Sequence, residues 1–175
     1  MATLVVLLVF FIVGGAFGPI NDAGNGLIGV LSAVLAGMLA PRAGRPAGVI
    51  AAVIGAVVVM WGSWLVMTGT TGFVLAGFVS TIGFGLIGIW LALVAWSPMA
   101  DAWSGGLRRL ARASASFMVI GGIAAVPSAL MGIDDFADVP GWLWLYGLGW
   151  LGTYVLYPVW SVSFGRLLTG DRSRT

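Results

Sequence analysis

Neither cysteine nor histidine occurs in this chain, and lysine and glutamate are missing as well. Without Cys there are no disulfides, thiolate nucleophiles or Cys-ligated metals. Without His and Lys there is no His-ligated haem or chlorophyll, no retinal Schiff base and no His general base. A Ser-His-Asp set is impossible, and no Gly-rich phosphate loop with its Lys is present. Charge of either sign is scarce: 8% of residues are charged, against about a quarter in an average soluble domain. With 60% hydrophobic residues and a mean hydropathy of +1.08, the folded chain cannot stay in water as a monomer. It belongs in lipid.

What charge there is follows a pattern. All 8 basic residues are Arg. Arg42 and Arg45 lie between the second and third apolar stretches, and Arg108, Arg109 and Arg112 between the fourth and fifth. Arg166, Arg172 and Arg174 follow the sixth. The intervening connections carry no basic residue, which is the positive-inside pattern. It predicts an all-α, polytopic integral membrane bundle of six transmembrane helices in the cell membrane, with both termini cytoplasmic. The expected helices cover about 3–20, 24–40, 48–68, 73–96, 116–132 and 142–165, a single transmembrane domain over 1–175. The first segment is read as an uncleaved helix, because no basic residue precedes it as in a signal peptide.

Pro19 to Gly26, rich in Asn, Asp and Gly, reads as an outer turn, with Asp22 capping the second helix. Ser97-Pro98 reads as a helix start with Asp101 in the next turn. Gly105-Gly106 then breaks the chain, and Leu107, Leu110 and Ala111 alternate with Arg108, Arg109 and Arg112. This is the expected short interfacial segment between helices four and five, lying on the cytoplasmic leaflet. Trp61, Trp64, Trp142 and Trp144 fall near the expected outer interface, and Trp96, Trp103 and Trp160 near the inner one.

Glycine is abundant, at 28 residues. On helix four Gly77, Thr81, Gly85, Gly88 and Ala92 form one small-residue face, a candidate for packing inside the bundle or for a protein partner. In lipid, helices associate through close backbone approach of this kind. Gly48, Ala52 and Ala56 on helix three, and Gly121 and Ala125 on helix five, repeat the device. Helix six carries an aromatic stripe of Trp142, Tyr146, Trp150, Tyr154, Tyr157 and Phe164, beside Pro158, which frees the carbonyl of Tyr154.

Asp22, Asp134, Asp135 and Asp138 form a candidate external acidic patch. DDxxD at 134–138 is a pattern with which prenyl-transferring enzymes hold diphosphate through magnesium. Here the loop faces outward, and no Arg on that side would clamp a phosphate. A solvated loop is the favoured reading and a weak cation site the alternative. The Asp-Gly-x-x-Ala-Arg signature of phosphatidyl-alcohol transferases is absent.

Between the interfaces only hydroxyls are expected: Ser32, Ser63, Ser80, Thr81, Ser128, Thr153 and Ser161. A bundle without intramembrane charge argues against proton coupling and charged solutes. Helices one to three and four to six have opposite orientation, as in an inverted repeat. Helices two and five are expected to be short and interrupted, which marks Ser32, Pro127 and Ser128 as a candidate solute site.

No motif ties the chain to a known family. The expected function is a non-catalytic subunit or assembly protein of a membrane complex. A small channel or carrier for a neutral or hydrophobic solute is the alternative. No enzyme activity and no cofactor are expected. Partners are membrane lipids, with anionic headgroups at the Arg loops, and a protein partner or a second copy of the chain. The few Arg are confined to loops, so nucleic acid is not among them.

Overall fold

A computed structural model describes Val5, Ile12 and residues 17–43, 45–141 and 145–170. Every regular element among the described residues is helical. The long helices are α1 (Phe17–Ala43), α2 (Pro46–Met67), α3 (Phe73–Ala95) and α4 (Gly105–Leu130). All four are long and apolar enough to cross a membrane, α1 over Gly18–Pro41. A fifth rod follows without a break: α5 (Tyr146–Leu151), a π-helical turn (Gly152–Leu156) and α6 (Tyr157–Leu168). Expectations for residues 1–4, 6–11 and 13–16, for Trp142 and Trp144, and for Arg172 and Arg174 lie outside the described residues, as does the Arg42 side chain.

The helix ends follow local chemistry. Pro46 opens α2 at a position that needs no N–H. Gly69, at φ +66°, closes it in the left-handed conformation that glycine adopts freely. Ser104 caps α4, its Oγ accepting from Leu107 N–H at 3.2 Å. Asp134 reaches across from the loop after α4 to cap α3. Its Oδ2 accepts from Gly72 N–H at 2.6 Å and its Oδ1 from Leu75 N–H at 3.1 Å.

Neighbouring rods are antiparallel and touch backbone to backbone at glycines. Gly29 of α1 faces Ala56 of α2, and Gly55 of α2 faces Gly83 of α3. Gly85 of α3 faces Gly122 of α4, and Gly121 of α4 faces Gly149 of α5. An added methyl at Gly85 would lie 2.9 Å from the Gly122 Cα, inside the contact limit. Gly88 is as tight against Met118. The small-residue face of the fourth expected helix therefore packs inside the bundle. The up-and-down order collects Arg45, Arg108, Arg109, Arg112 and Arg166 at one end, opposite the 68–72 turn and the 131–141 loop. These are called the arginine end and the loop end below.

Four expectations are corrected. Pro19 to Gly26 is not a turn but part of α1, one helix of 27 residues. Asp22 thus caps nothing. Pro19 sits in the first described turn of α1. Asn and Asp are turn formers in water, but here their side chains point into the bundle, and tertiary packing overrides propensity. Second, no separate interfacial segment divides helices four and five. A 3-10 turn (Pro98–Ala102) leads to Ser104, and α4 runs unbroken from Gly105. Leu107 and Ala111 are buried on its inner face while Arg109 is exposed, so the Arg alternation is the first turns of a helix long enough to cross a membrane.

Third, the second and fifth expected helices are long and uninterrupted, at 27 and 26 residues, so the matching short segments of an inverted repeat are not there. Fourth, Trp103 and Trp160 do not belong to an interfacial belt. Both are core residues, with Trp160 stacked on Phe164 at 5.2 Å and Trp103 6.1 Å from Trp160. Trp61, Trp64 and Trp96 are exposed, as a belt requires. The proline expected to disturb the last helix does so: the π turn lies immediately before Pro158, where the Tyr154 carbonyl loses its i+4 donor.

Candidate functional site

α1 buries a narrow face: Gly18, Asn21, Asp22, Asn25, Gly29, Ser32, Ala36 and Leu39, at helical spacing. The half toward the arginine end is apolar, and the half toward the loop end is polar. Asn21, Asp22 and Asn25 are 2%, 5% and 3% exposed. They line a cavity of about 20 Å³. Its opposite walls come from Phe73, Gly77, Ser80 and Thr81 of α3 and from Tyr146, Trp150 and Tyr154 of the last rod.

Each wall has a local cause. On α3, Thr81 Oγ1 donates to the Gly77 carbonyl at 2.8 Å, which spends its proton on the helix and leaves a lone pair for the Tyr146 hydroxyl. Gly77 has no side chain, so the Tyr146 hydroxyl fits beside it, 3.2 Å from where a Cβ would lie. On the last rod Tyr146, Trp150 and Tyr154 form an edge-to-face ladder with centroids 5.2 and 6.4 Å apart. The π turn places Tyr154 in register with Tyr146 and aims its hydroxyl at the carboxamides of Asn21 and Asn25.

The cavity is unbalanced in hydrogen bonding. Asn21 Oδ1, Asp22 Oδ2 and Asn25 Oδ1 are buried with no donor on them, while the Asn21 side chain is hydrogen-bonded to the Asp22 carboxylate and both carboxamides to the Tyr154 hydroxyl through their remaining atoms. A buried acceptor without a donor costs about 1–3 kcal/mol, and more when charged. Three on adjacent turns of one helix, lining one cavity, is unusual in a folded protein. No basic side chain lines the cavity to offset the carboxylate. Among the described residues no cluster of three His, Cys, Asp or Glu exists, so any ligand held here meets mainly amide, hydroxyl and single-carboxylate oxygen.

The sites expected from sequence are distributed differently. The acidic residues do not act as one patch. Asp22 is inside the bundle, Asp134 is the α3 cap, Asp135 accepts from Ala137 N–H at 2.8 Å, and Asp138 is exposed. The solute-site residues are not brought together either. Ser32 on α1 pairs with the Tyr157 hydroxyl at 2.7 Å, whereas Ser128 is on α4, buried, its Oγ without a partner, one residue after Pro127. Of the helix-four set, Gly77 and Thr81 line the cavity, Gly85 and Gly88 pack on α4, and Ala92 packs against the main core.

In sequence Asn21, Asp22 and Asn25 read together as an outer turn, and nothing there joins Tyr154 to them. The signal was present: 21, 22, 25, 29 and 32 recur on one helical face. It was masked by the turn chemistry of the same residues.

A second opening lies toward the arginine end of the cavity, between α1 and the last rod. It is an apolar groove of about 490 Å³ whose walls include Leu27, Leu31, Leu35, Pro158 and Val162. The Ser32–Tyr157 hydrogen bond bridges the two rods along it.

Among the described residues, the fold and the site define an all-helical protein with four helices long and apolar enough to cross a membrane and a buried polar cavity. Comparison with protein-family models, with curated proteins and with solved structures finds no match to this chain.

Proposed function

We propose that this protein is a small multi-pass membrane channel or carrier that holds its solute in the cavity around Asp22. The observation that carries the proposal is the set of three unpartnered oxygens at Asn21, Asp22 and Asn25, buried within α1. Polar and ionisable groups inside a span are expensive and mark solute or ion paths. The same finding removes the objection that the bundle interior carries no charge. The bundle has six helices in this reading, and the arginine end faces the cytoplasm with its side chains among anionic headgroups. No catalytic step is assigned to it, since the cavity offers no nucleophile–base pair.

The test is flux into liposomes containing the purified full chain, for alkali cations and for small neutral solutes. Wild type is expected to conduct, and Asp22→Asn to lose that flux. Equal flux through wild-type and protein-free liposomes would overturn the proposal.

The second reading, a non-catalytic subunit of a membrane complex, keeps one observation in its favour. Trp61 and Trp64 stack at 5.1 Å on an exposed apolar face of α2 with Val57 and Met60. Native mass spectrometry after gentle extraction tests it: a stable complex with a different protein supports this reading, and a bare monomer opposes it.

A further inference from the structure

The chemistry of the cavity specifies its occupant more closely than the word solute. The unpartnered atoms at Asn21, Asp22 and Asn25 are all acceptors, so whatever completes them is a cation or a hydrogen-bond donor. A carboxylate with no basic residue in the surrounding wall selects against anions. Size narrows the choice further. About 20 Å³ holds one water-sized body, since a water needs roughly 10–15 Å³ by the same measure. Charge narrows it again: one carboxylate neutralises a single positive charge, and a divalent ion would leave a net charge buried in low dielectric. The oxygen ligands suit a hard ion.

We infer that the cavity between α1, α3 and the last rod is a binding site for one dehydrated alkali cation, Na⁺ or K⁺, held by Asp22 with the Asn21 and Asn25 side-chain oxygens. The inference rests on the channel or carrier reading only in treating the cavity as functional. Thr81 Oγ1 donates to the Gly77 carbonyl and is hydrogen-bonded to the Tyr146 hydroxyl, so it belongs to the wall and not to the ligand set. The ion joins α1 to α3 and the last rod at the loop end, where α1 presents polar side chains and the apolar cluster of Val74, Phe78 and Tyr146 lies among α3, α4 and the last rod.

Equilibrium binding of radioactive Na⁺, and of Rb⁺ in place of K⁺, to the purified full chain in detergent tests the site. Thermal unfolding in NaCl, KCl and choline chloride at one ionic strength is measured alongside. Saturable binding of one ion per chain is expected, with a higher unfolding temperature in the bound cation than in choline. Asp22→Asn and Asn25→Leu, both close in shape to the native side chains, should weaken binding about 10-fold or more. They should also unfold at the same temperature in all three salts. No binding, with equal unfolding temperatures for wild type in the three salts, would overturn the inference and leave water against a protonated Asp22. Binding that survives both substitutions would overturn it equally. Binding without liposome flux would end the carrier reading and leave the ion site standing, while ion-independent solute flux without binding would do the reverse.

Discussion

Asp22 and Asp134 are chemically identical and do opposite things. Asp134 meets two backbone N–H groups at the free end of α3, where a carboxylate is favoured both by the orphan donors and by the helix dipole. Replacing it by Ala should cost about 1 kcal/mol, read as a lower unfolding temperature, while Asp138→Ala, on an exposed side chain, should change little. Asp22 has no such donor on Oδ2 and sits in the bundle. In alkaline buffer with choline as the only cation, Asp22→Asn should therefore stabilise the fold by about 1 kcal/mol or more, by removing a buried charge that no basic side chain in the cavity wall offsets. A destabilised variant under those conditions would mean that the hydrogen bond from Asn21 outweighs the cost of the buried charge. The arginines, too, are partly engaged by the protein. Arg112 Nε donates to the Ala95 carbonyl at 3.1 Å and its guanidinium lies 5.1 Å from the Trp96 ring, closing the C-terminal end of α3. The Arg108–Asp101 pair is exposed enough to contribute little.

At the scale of the element, the helices associate through glycine. Gly85→Leu drives a branched side chain into the Gly122 backbone and should destabilise the bundle by about 1–3 kcal/mol or prevent folding, seen as lost expression. Gly37→Leu, where a side chain meets nothing within 4 Å, should be tolerated. Normal folding of Gly85→Leu with loss of an associated protein would instead make that face a partner surface.

The same elements show how much of the fold is legible in sequence. α2 and α3 are uniformly apolar and punctuated by Pro46, Gly69 and Gly72, so their limits agree with expectation to within two residues. α1 and α4 are not legible, for one reason. Their first turns carry Asn, Asp, Gly and Arg, residues that mean turn or surface in water and that here are placed on one helical face by packing. The π turn leaves no composition signal beyond Pro158. The site suffers from the same ambiguity: Ser80 and Thr81 are recognisable as buried hydroxyls, but Asn21, Asp22 and Asn25 become a site only once 17–43 is one helix.

For the whole molecule, the described rods alternate in direction, and the described arginines gather at one end. Because the chain lacks Cys, each introduced thiol is a unique reporter. In intact cells a membrane-impermeant maleimide should label Thr70→Cys, in the exposed turn between α2 and α3. Thr169→Cys, exposed just after α6, should react only after permeabilisation. The opposite pattern would invert the orientation proposed from the arginines.

The same chemistry reaches the central claim most directly, which is that Asp22 lies inside the bundle on a continuous α1 and not in a water-exposed turn. Labelling rates of Asp22→Cys and Asp135→Cys would be compared on the purified protein in detergent. Asp135→Cys, in an exposed loop, should react rapidly, and Asp22→Cys, at a position 5% exposed, should be protected until the protein is unfolded. Equal rates for the two would place residues 21–25 in water and dissolve the site built on them.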